Sequence, residues 1–222
     1  MHLSTFFTTP AYGGDAPLLL TVPGLGNSGP GHWQTHWEVL LPHCERAELD
    51  DWDTPDPAHW LESLNQAIEA ADRPVILIAH SLGCHAVARW AQRRRPNFNS
   101  SVAGALLVAP PELDHAALDP RLLPFAPASR SILPFPSIVV ASQDDPYITS
   151  ERARRLAFFW GSDFADAGKV GHINAESGLG TWDFGQFLLR RLIRKAQAER
   201  THAHGGPEWQ KPRAGQRGFV PP

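Results

Sequence analysis

The chain is 222 residues long, with 42% hydrophobic and 19% charged residues and a formal net charge of −3 at pH 7. That length gives one α/β domain a large core and is short for two, the composition is globular rather than disordered, and the slight acidic excess argues against nucleic acid phosphates as the main partner. Two cysteines, Cys44 and Cys84, are too few for a disulfide framework or a cysteine-built zinc site, the N-terminal stretch has no secretory signal pattern, and no apolar run approaches the roughly 20 residues that span a bilayer, so a cytoplasmic location is expected.

Short apolar runs alternate with amphipathic stretches, which predicts repeated βα units: a three-layer α/β/α architecture with a mostly parallel central sheet. Leu18 to Val22 reads as the first buried strand, ended by Pro23-Gly24, and Cys44 to Leu49 as a more polar strand nearer an edge. Asp56 offers a carboxylate N-cap with Pro57 at the first helical position, and Trp60, Leu61, Leu64 and Ile68 then recur at helical spacing. Val75 to Ala79 predicts a buried strand. In the helix after it Ala86, Val87, Trp90 and Ala91 share an apolar face, Arg93, Arg94 and Arg95 offset the dipole in the last turn, and Pro96 stops it.

Val102 to Val108 and Ile138 to Ala141 read as further strands, and between them Pro111 to Pro136 is proline-rich, a connection long enough to be functional and placed where a cap is often found. Phe164 to Val170 predicts the last strand. A final helix spans about Trp182 to about Lys195, with Phe184, Phe187, Leu188 and Leu192 toward the core. Residues 1–198 are read as one domain. Residues 199–222, polar and rich in Gly and Pro, are expected to be a disordered tail or one ordered only by a neighbour.

The stretch Pro74 to Trp90, PVILIAHSLGCHAVARW, carries the chemistry. An apolar strand stops at Ala79-His80-Ser81-Leu82-Gly83 and a helix follows, which is the nucleophile elbow of α/β-hydrolases with alanine for the first glycine of G-x-S-x-G. The tight turn requires small residues two before and two after the serine, and Ala79 and Gly83 satisfy it. Ser81 as a plain helix cap is the alternative, so the rest of the chain has to supply a base and an acid. In this fold they follow in the order acid, then histidine, each after a strand. Ser142-Gln143-Asp144-Asp145-Pro146-Tyr147-Ile148 follows one predicted strand and Gly171-His172 follows the last. Hydrolases of this fold place the acid before Pro-x-aliphatic, which favours Asp145, with Asp144 the alternative.

An oxyanion hole needs two backbone N–H groups. Leu82 directly after the serine supplies one, and Leu25 in Pro23-Gly24-Leu25-Gly26-Asn27 is the candidate for the other. That glycine-rich segment is not G-x-G-x-x-G and the chain has no Walker Gly-Lys-Ser/Thr, so a nucleotide loop is disfavoured. His32 and His36 share a helical face as in zinc sites, but Trp33-Gln34-Thr35 lies between them and no third ligand is evident, so no metal and no cofactor are expected. Strand alternation turns His80 away from Ser81 into a structural role, Cys84 reads as a buried thiol, and Trp52 is placed near the mouth of the site. Trp33 and Trp37 are assigned to the core or pocket wall, and Asn174 and Glu176 to holding the histidine loop.

The segments VPGLGNSGPGHWQTHWE (Val22 to Glu38), the Asp-Trp and proline residues of Asp51 to Pro57, AHSLGC, ASQDDPY and GHINAESGLGTW (Gly171 to Trp182) together resemble the YdeN and retinoblastoma-binding-protein-nine family of small α/β-hydrolases, across residues 17–195. The resemblance implies a compact serine hydrolase whose Ser-Asp-His triad falls on Ser81, Asp145 and His172. A mammalian member is described as a partner of the retinoblastoma protein, but this chain has no Leu-x-Cys-x-Glu motif and that partner is not carried over. The expected function is hydrolysis of a small ester, amide or thioester, so the partner is a small-molecule carbonyl substrate rather than nucleic acid or membrane. A catalytically weak scaffold or a small-molecule receptor on the same fold is the alternative.

Overall fold

The computed structural model describes residues 16–96, 101–114 and 119–204. Among these, β1 (Leu18–Val22), β2 (Cys44–Arg46), β3 (Val75–His80), β4 (Val102–Val108), β5 (Ser137–Ala141) and β6 (Asp163–Asp166) form one sheet in the order β2-β1-β3-β4-β5-β6. Every neighbouring pair is parallel. The helices are α1 (Trp33–Leu40), α2 (Pro57–Glu69), α3 (Leu82–Arg94), α4 (Ser150–Trp160) and α5 (Asp183–His204).

Alternation along the strands sorts the side chains into two cores. Leu18, Leu20 and Val22 of β1, with Val75, Leu77 and Ala79 of β3, pack with Trp60, Leu64, Ala86, Val87 and Trp160 of α2, α3 and α4. Leu19, Ile76 and Ile78 face the other way and pack with Trp33 and Trp37 of α1 and Leu188, Leu189, Leu192 and Ile193 of α5. Because both faces are covered, the central strands are apolar throughout rather than alternating. The Asp56 side chain caps α2 by accepting from the His59 amide at 2.8 Å, with Pro57 in the first turn. Among the described residues no helix is long and apolar enough to cross a membrane.

Several boundaries differ from the sequence reading. The second strand ends at Arg46 rather than Leu49, because Asp50 and Asp51 take φ of 56° and 43° and turn the chain away, while Ala47 and Leu49 bury themselves against α2. The last strand covers Asp163–Asp166 rather than Phe164 to Val170: the Asp166 carboxylate accepts from the Gly168 amide and Gly168 turns at φ 76°. The final helix continues to His204, since the buried stripe runs on through Ala196 and no Gly or Pro follows until Gly205. Residues 199–204 are thus helical, and the rest of the expected tail, 205–222, lies outside the described residues.

Phe184 and Phe187, expected in the core, are 40% and 50% exposed. Trp182 takes their place. It folds under the start of α5 against Trp33 and Trp37, and a Cβ on Gly185 would fall 2.1 Å from its ring. The described part of the Pro111 to Pro136 segment is anchored in the layer of α2, α3 and α4. Phe125 packs edge-on against Trp60, the Trp160 indole donates to the Ser129 carbonyl at 2.8 Å, and Arg89 donates to the Ala126 carbonyl at 3.0 Å.

Candidate active site

The chain leaves β1 toward β2 on one side and returns to β3 on the other, so the loops after β1 and β3 meet at the switch point of the sheet, the place where open α/β sheets bind ligands. Between β3 and α3 stands Ser81 at φ 52° and ψ −125°, a conformation that costs an L residue about 1–3 kcal/mol and holds it on a sharp turn. A Cβ on Gly83 would lie 2.2 Å from the Val22 carbonyl oxygen and 2.6 Å from that of Pro23. A Cβ on Gly24 would lie 2.8 Å from Ser81 Cβ and 3.0 Å from the Leu82 nitrogen. Both glycines therefore let two backbones touch, and the small-residue expectation at Gly83 has a steric cause.

Ser81, Asp145 and His172 come from the loops after β3, β5 and β6 and meet at the carboxyl edge of the sheet. His172 Nε2 is 2.9 Å from Ser81 Oγ. Its Nδ1 is 2.9 Å and 3.0 Å from the two carboxylate oxygens of Asp145. The Asp145 side chain is 0% exposed and also accepts from the Tyr147 amide at 2.9 Å. An ionised carboxylate only accepts, so neutral His172 carries its proton on Nδ1 and presents Nε2 to the serine hydroxyl as an acceptor. The Tyr147 ring stands edge-on to the imidazole, centroids 4.5 Å apart.

Asp144 points elsewhere. Its Oδ1 accepts from the Ser142 hydroxyl at 2.7 Å and from the Gly171 amide at 2.8 Å, and these donors hold its carboxyl below the usual carboxylate range. Ser142 Oγ also accepts from the Val170 amide at 3.0 Å. Asp144 and the buried Ser142 thus tie the loop after β5 to the residues just before His172. The sequence reading missed Ser142; the Ser-x-Asp spacing of a side-chain turn is the signal that points to it.

The loop after β1 is braced from three directions. Asn27 N–H donates to the Gly24 carbonyl at 3.1 Å and Gly26 N–H to the Trp52 carbonyl at 2.8 Å. Arg46 on β2 reaches Asn27 Oδ1 at 3.0 Å and Thr35 Oγ1 at 2.7 Å, and its guanidinium forks onto Glu38 at 2.7 and 3.0 Å. Ser28 Oγ donates to Gln34, whose amide donates to the Ile78 carbonyl. The amides of Leu25 and Leu82, the two expected oxyanion donors, donate to no group among the described residues. Trp52, expected near the mouth, adjoins this loop through its carbonyl and leans edge-on against Trp60.

Three histidines lie in a row on the α1 side of the sheet edge, with ring centroids 4.6 Å apart for His32 and His80 and 5.0 Å for His80 and His172. His32 is the N-cap of α1, its Nδ1 accepting from the Gln34 amide at 3.1 Å. Burial first, then nearby Arg46, pulls its pKa down to about 4. His80 is turned away from Ser81 and lies 3.0 Å from the His172 carbonyl oxygen. Cys84 is buried against the Val108 carbonyl, and burial pushes its thiol well up. Asn174 caps the short turn Ala175–Ser177 beyond His172, while Glu176 is exposed. Among the described residues no group of three or more His, Cys, Asp or Glu is arranged to hold a metal.

The model of a family described as serine hydrolase matches residues 19–191. The crystal structure of a YdeN-like hydrolase from Pectobacterium atrosepticum is 34% identical over 80% of this chain and 91% of its own, with a TM-score of 0.70. The ydeN gene product of B. subtilis, 16% identical over 81% and 100% of the two chains with a TM-score of 0.60, is similar in fold. So is Est1E from Butyrivibrio proteoclasticus, solved with ferulic acid, at 13% identity, 82% and 92% coverage and a TM-score of 0.59. Among curated proteins none matches. With the elbow, the parallel sheet and these likenesses together, the chain belongs to the serine hydrolase family and is a YdeN-like hydrolase of the α/β-hydrolase fold.

Proposed function

We propose that the enzyme cleaves a small ester through an acyl-enzyme on Ser81, with His172 as the base, Asp145 as its orienting acid and the Leu25 and Leu82 amides as the oxyanion hole. The observation that carries the reading is the unbroken chain of hydrogen bonds from Ser81 Oγ through His172 to Asp145, each link 2.9–3.0 Å. His172 Nε2 takes the hydroxyl proton as Ser81 Oγ attacks the carbonyl carbon. The imidazolium is stabilised by the buried Asp145 carboxylate. The oxyanion that forms is met by these two amides, each worth about 3 kcal/mol of transition-state stabilisation when aligned. His172 then gives its proton to the leaving alcohol, and water, activated by the same nitrogen, releases the acid.

The same steps serve an amide or a thioester, and the ester is preferred to the amide because alkoxide is a better leaving group than amide nitrogen. No metal or organic cofactor enters any step. The two buried free thiols, Cys44 and Cys84, support a reducing cytoplasm as the place of action. The test is labelling by an alkyl fluorophosphonate, which reacts with an activated serine. Wild type is expected to be modified at Ser81 and Ser81→Ala not at all; equal labelling of the two would remove Ser81 from the mechanism.

A further inference from the structure

We infer that His80, the residue before the elbow serine, is a positioning residue that clamps the backbone of His172 from beneath. A carbonyl oxygen only accepts, so the 3.0 Å contact requires a proton on His80 Nε2, donated to the His172 carbonyl. The next carbonyl, that of Ile173, accepts from the buried Trp33 indole at 2.8 Å. Two consecutive peptides of the histidine loop are thereby held by two buried N–H donors from the α1 side. The loop needs holding: Ile173, a β-branched residue with its side chain fully buried, sits at φ 50°, where such residues are rare.

The clamp completes the definition of the imidazole. Asp145 fixes the ring at Nδ1, Ser81 meets it at Nε2, and His80 fixes the main chain from which it hangs. Such a clamp must be uncharged, because a cation 5.0 Å from the His172 ring would oppose the imidazolium that forms during turnover. The groups facing His80 are the rings of His32, Trp33 and His172. Burial holds both His80 and His32 well below the usual histidine range, so both are neutral at pH 7.

The inference rests on His172 being the base of the proposed mechanism, and its test separates the two. His80→Phe keeps a ring and loses the donor; His80→Gln keeps an N–H donor. With p-nitrophenyl acetate, His80→Phe is expected to lower kcat by about 10- to 100-fold, as misplacement of a reacting group does, with KM changed by less than about twofold. The rate of fluorophosphonate labelling is expected to fall in parallel, and His80→Gln to restore most of both. Unchanged kcat in His80→Phe, or equal losses in the two variants, would overturn the clamp.

The wild-type full chain gives a second reading that needs neither a folded variant nor turnover. Histidine 15N spectra are expected to show His80 as the neutral Nε2–H tautomer at about pH 7. The Nδ1–H tautomer or the imidazolium at that pH would overturn the proposal. If instead wild type resists labelling while this signature is present, the serine mechanism fails and the His80 to His172 backbone contact remains as a structural one, without a positioning role.

Discussion

Asp144 and Asp145 are adjacent carboxylates whose different surroundings give them different work. Asp145→Asn leaves an amide that cannot accept from Nδ1 in the same way, so His172 is expected to take the wrong tautomer and kcat to fall about 10⁴-fold in an ester assay. Asp144→Asn removes a charge that grips the Ser142 hydroxyl and the Gly171 amide, and is expected to cost less than about tenfold, the scale of one weakened hydrogen bond. The reverse ranking would exchange their roles. The two glycines of the elbow separate in the same manner. Gly83→Ala drives a methyl into two main-chain carbonyls and is expected to lower stability by about 3 kcal/mol or more, read from the urea midpoint. Gly24→Ala presses on Ser81 Cβ and the Leu82 nitrogen, and is expected to slow fluorophosphonate labelling more than it shifts that midpoint. Ser81 is legible in the sequence because it stands where a buried apolar strand ends at a small-residue turn, whereas His172 is reached only by its order after the acid, since the strand before it stops at Asp166. What separates Asp145 from Asp144 locally is the Pro-x-aliphatic that follows Asp145; the partner each carboxylate takes lies 27 residues along the chain and is set by the fold.

Among the elements, the loop after β1 depends on a residue that sequence reading did not single out. Arg46 bonds Glu38, Thr35 and Asn27, which lie 8, 11 and 19 residues away, so the network has no periodic signature and arises only when β2 pairs beside β1. Arg46→Met would leave Glu38 half-buried without its cation and Asn27 without its anchor. The expected cost is about 3 kcal/mol in urea unfolding, with a slower labelling rate. Arg46→Met combined with Glu38→Gln is expected to recover much of the stability but not the rate, because Asn27 still lacks the guanidinium and is left with its local bonds to Ser28 and Gly24; recovery of both would mean that the network only stabilises. The central strands and α2 are readable from apolar runs and from the Asp56-Pro57 start. The ends of β2 and β6 are not, because they are set by turns at Asp50-Asp51 and Gly168, and the misread face of α5 reflects a competitor, Trp182, for the same core volume.

For the molecule as a whole, buried neutral histidines set an acid limit on stability. His32 and His85 titrate near 4 in the folded chain, chiefly because burial disfavours their charged forms, against about 6.5 when unfolded. Between those values the unfolded chain binds protons that the folded one does not, so the contribution of these two histidines is constant well above about pH 6.5 and is lost as the pH drops toward about 4. Each histidine contributes about 1.4 kcal/mol per pH unit to that loss. The urea midpoint is expected to be lower at pH 5 than at pH 7.5, and His85→Gln to flatten the slope; an unchanged slope would mean that His85 is protonated in the fold.

The sheet also has two borders, and both are brief. β2 offers three residues and β6 four, and these carry Glu45, Arg46, Asp163 and Asp166, with Lys195 reaching across to Asp163 at 3.1 Å. Short, charged margins are poor templates for an incoming strand. Concentrated solutions of the native enzyme should therefore resist edge-to-edge polymerisation, and clumping on heating should begin only once the central apolar strands have come apart.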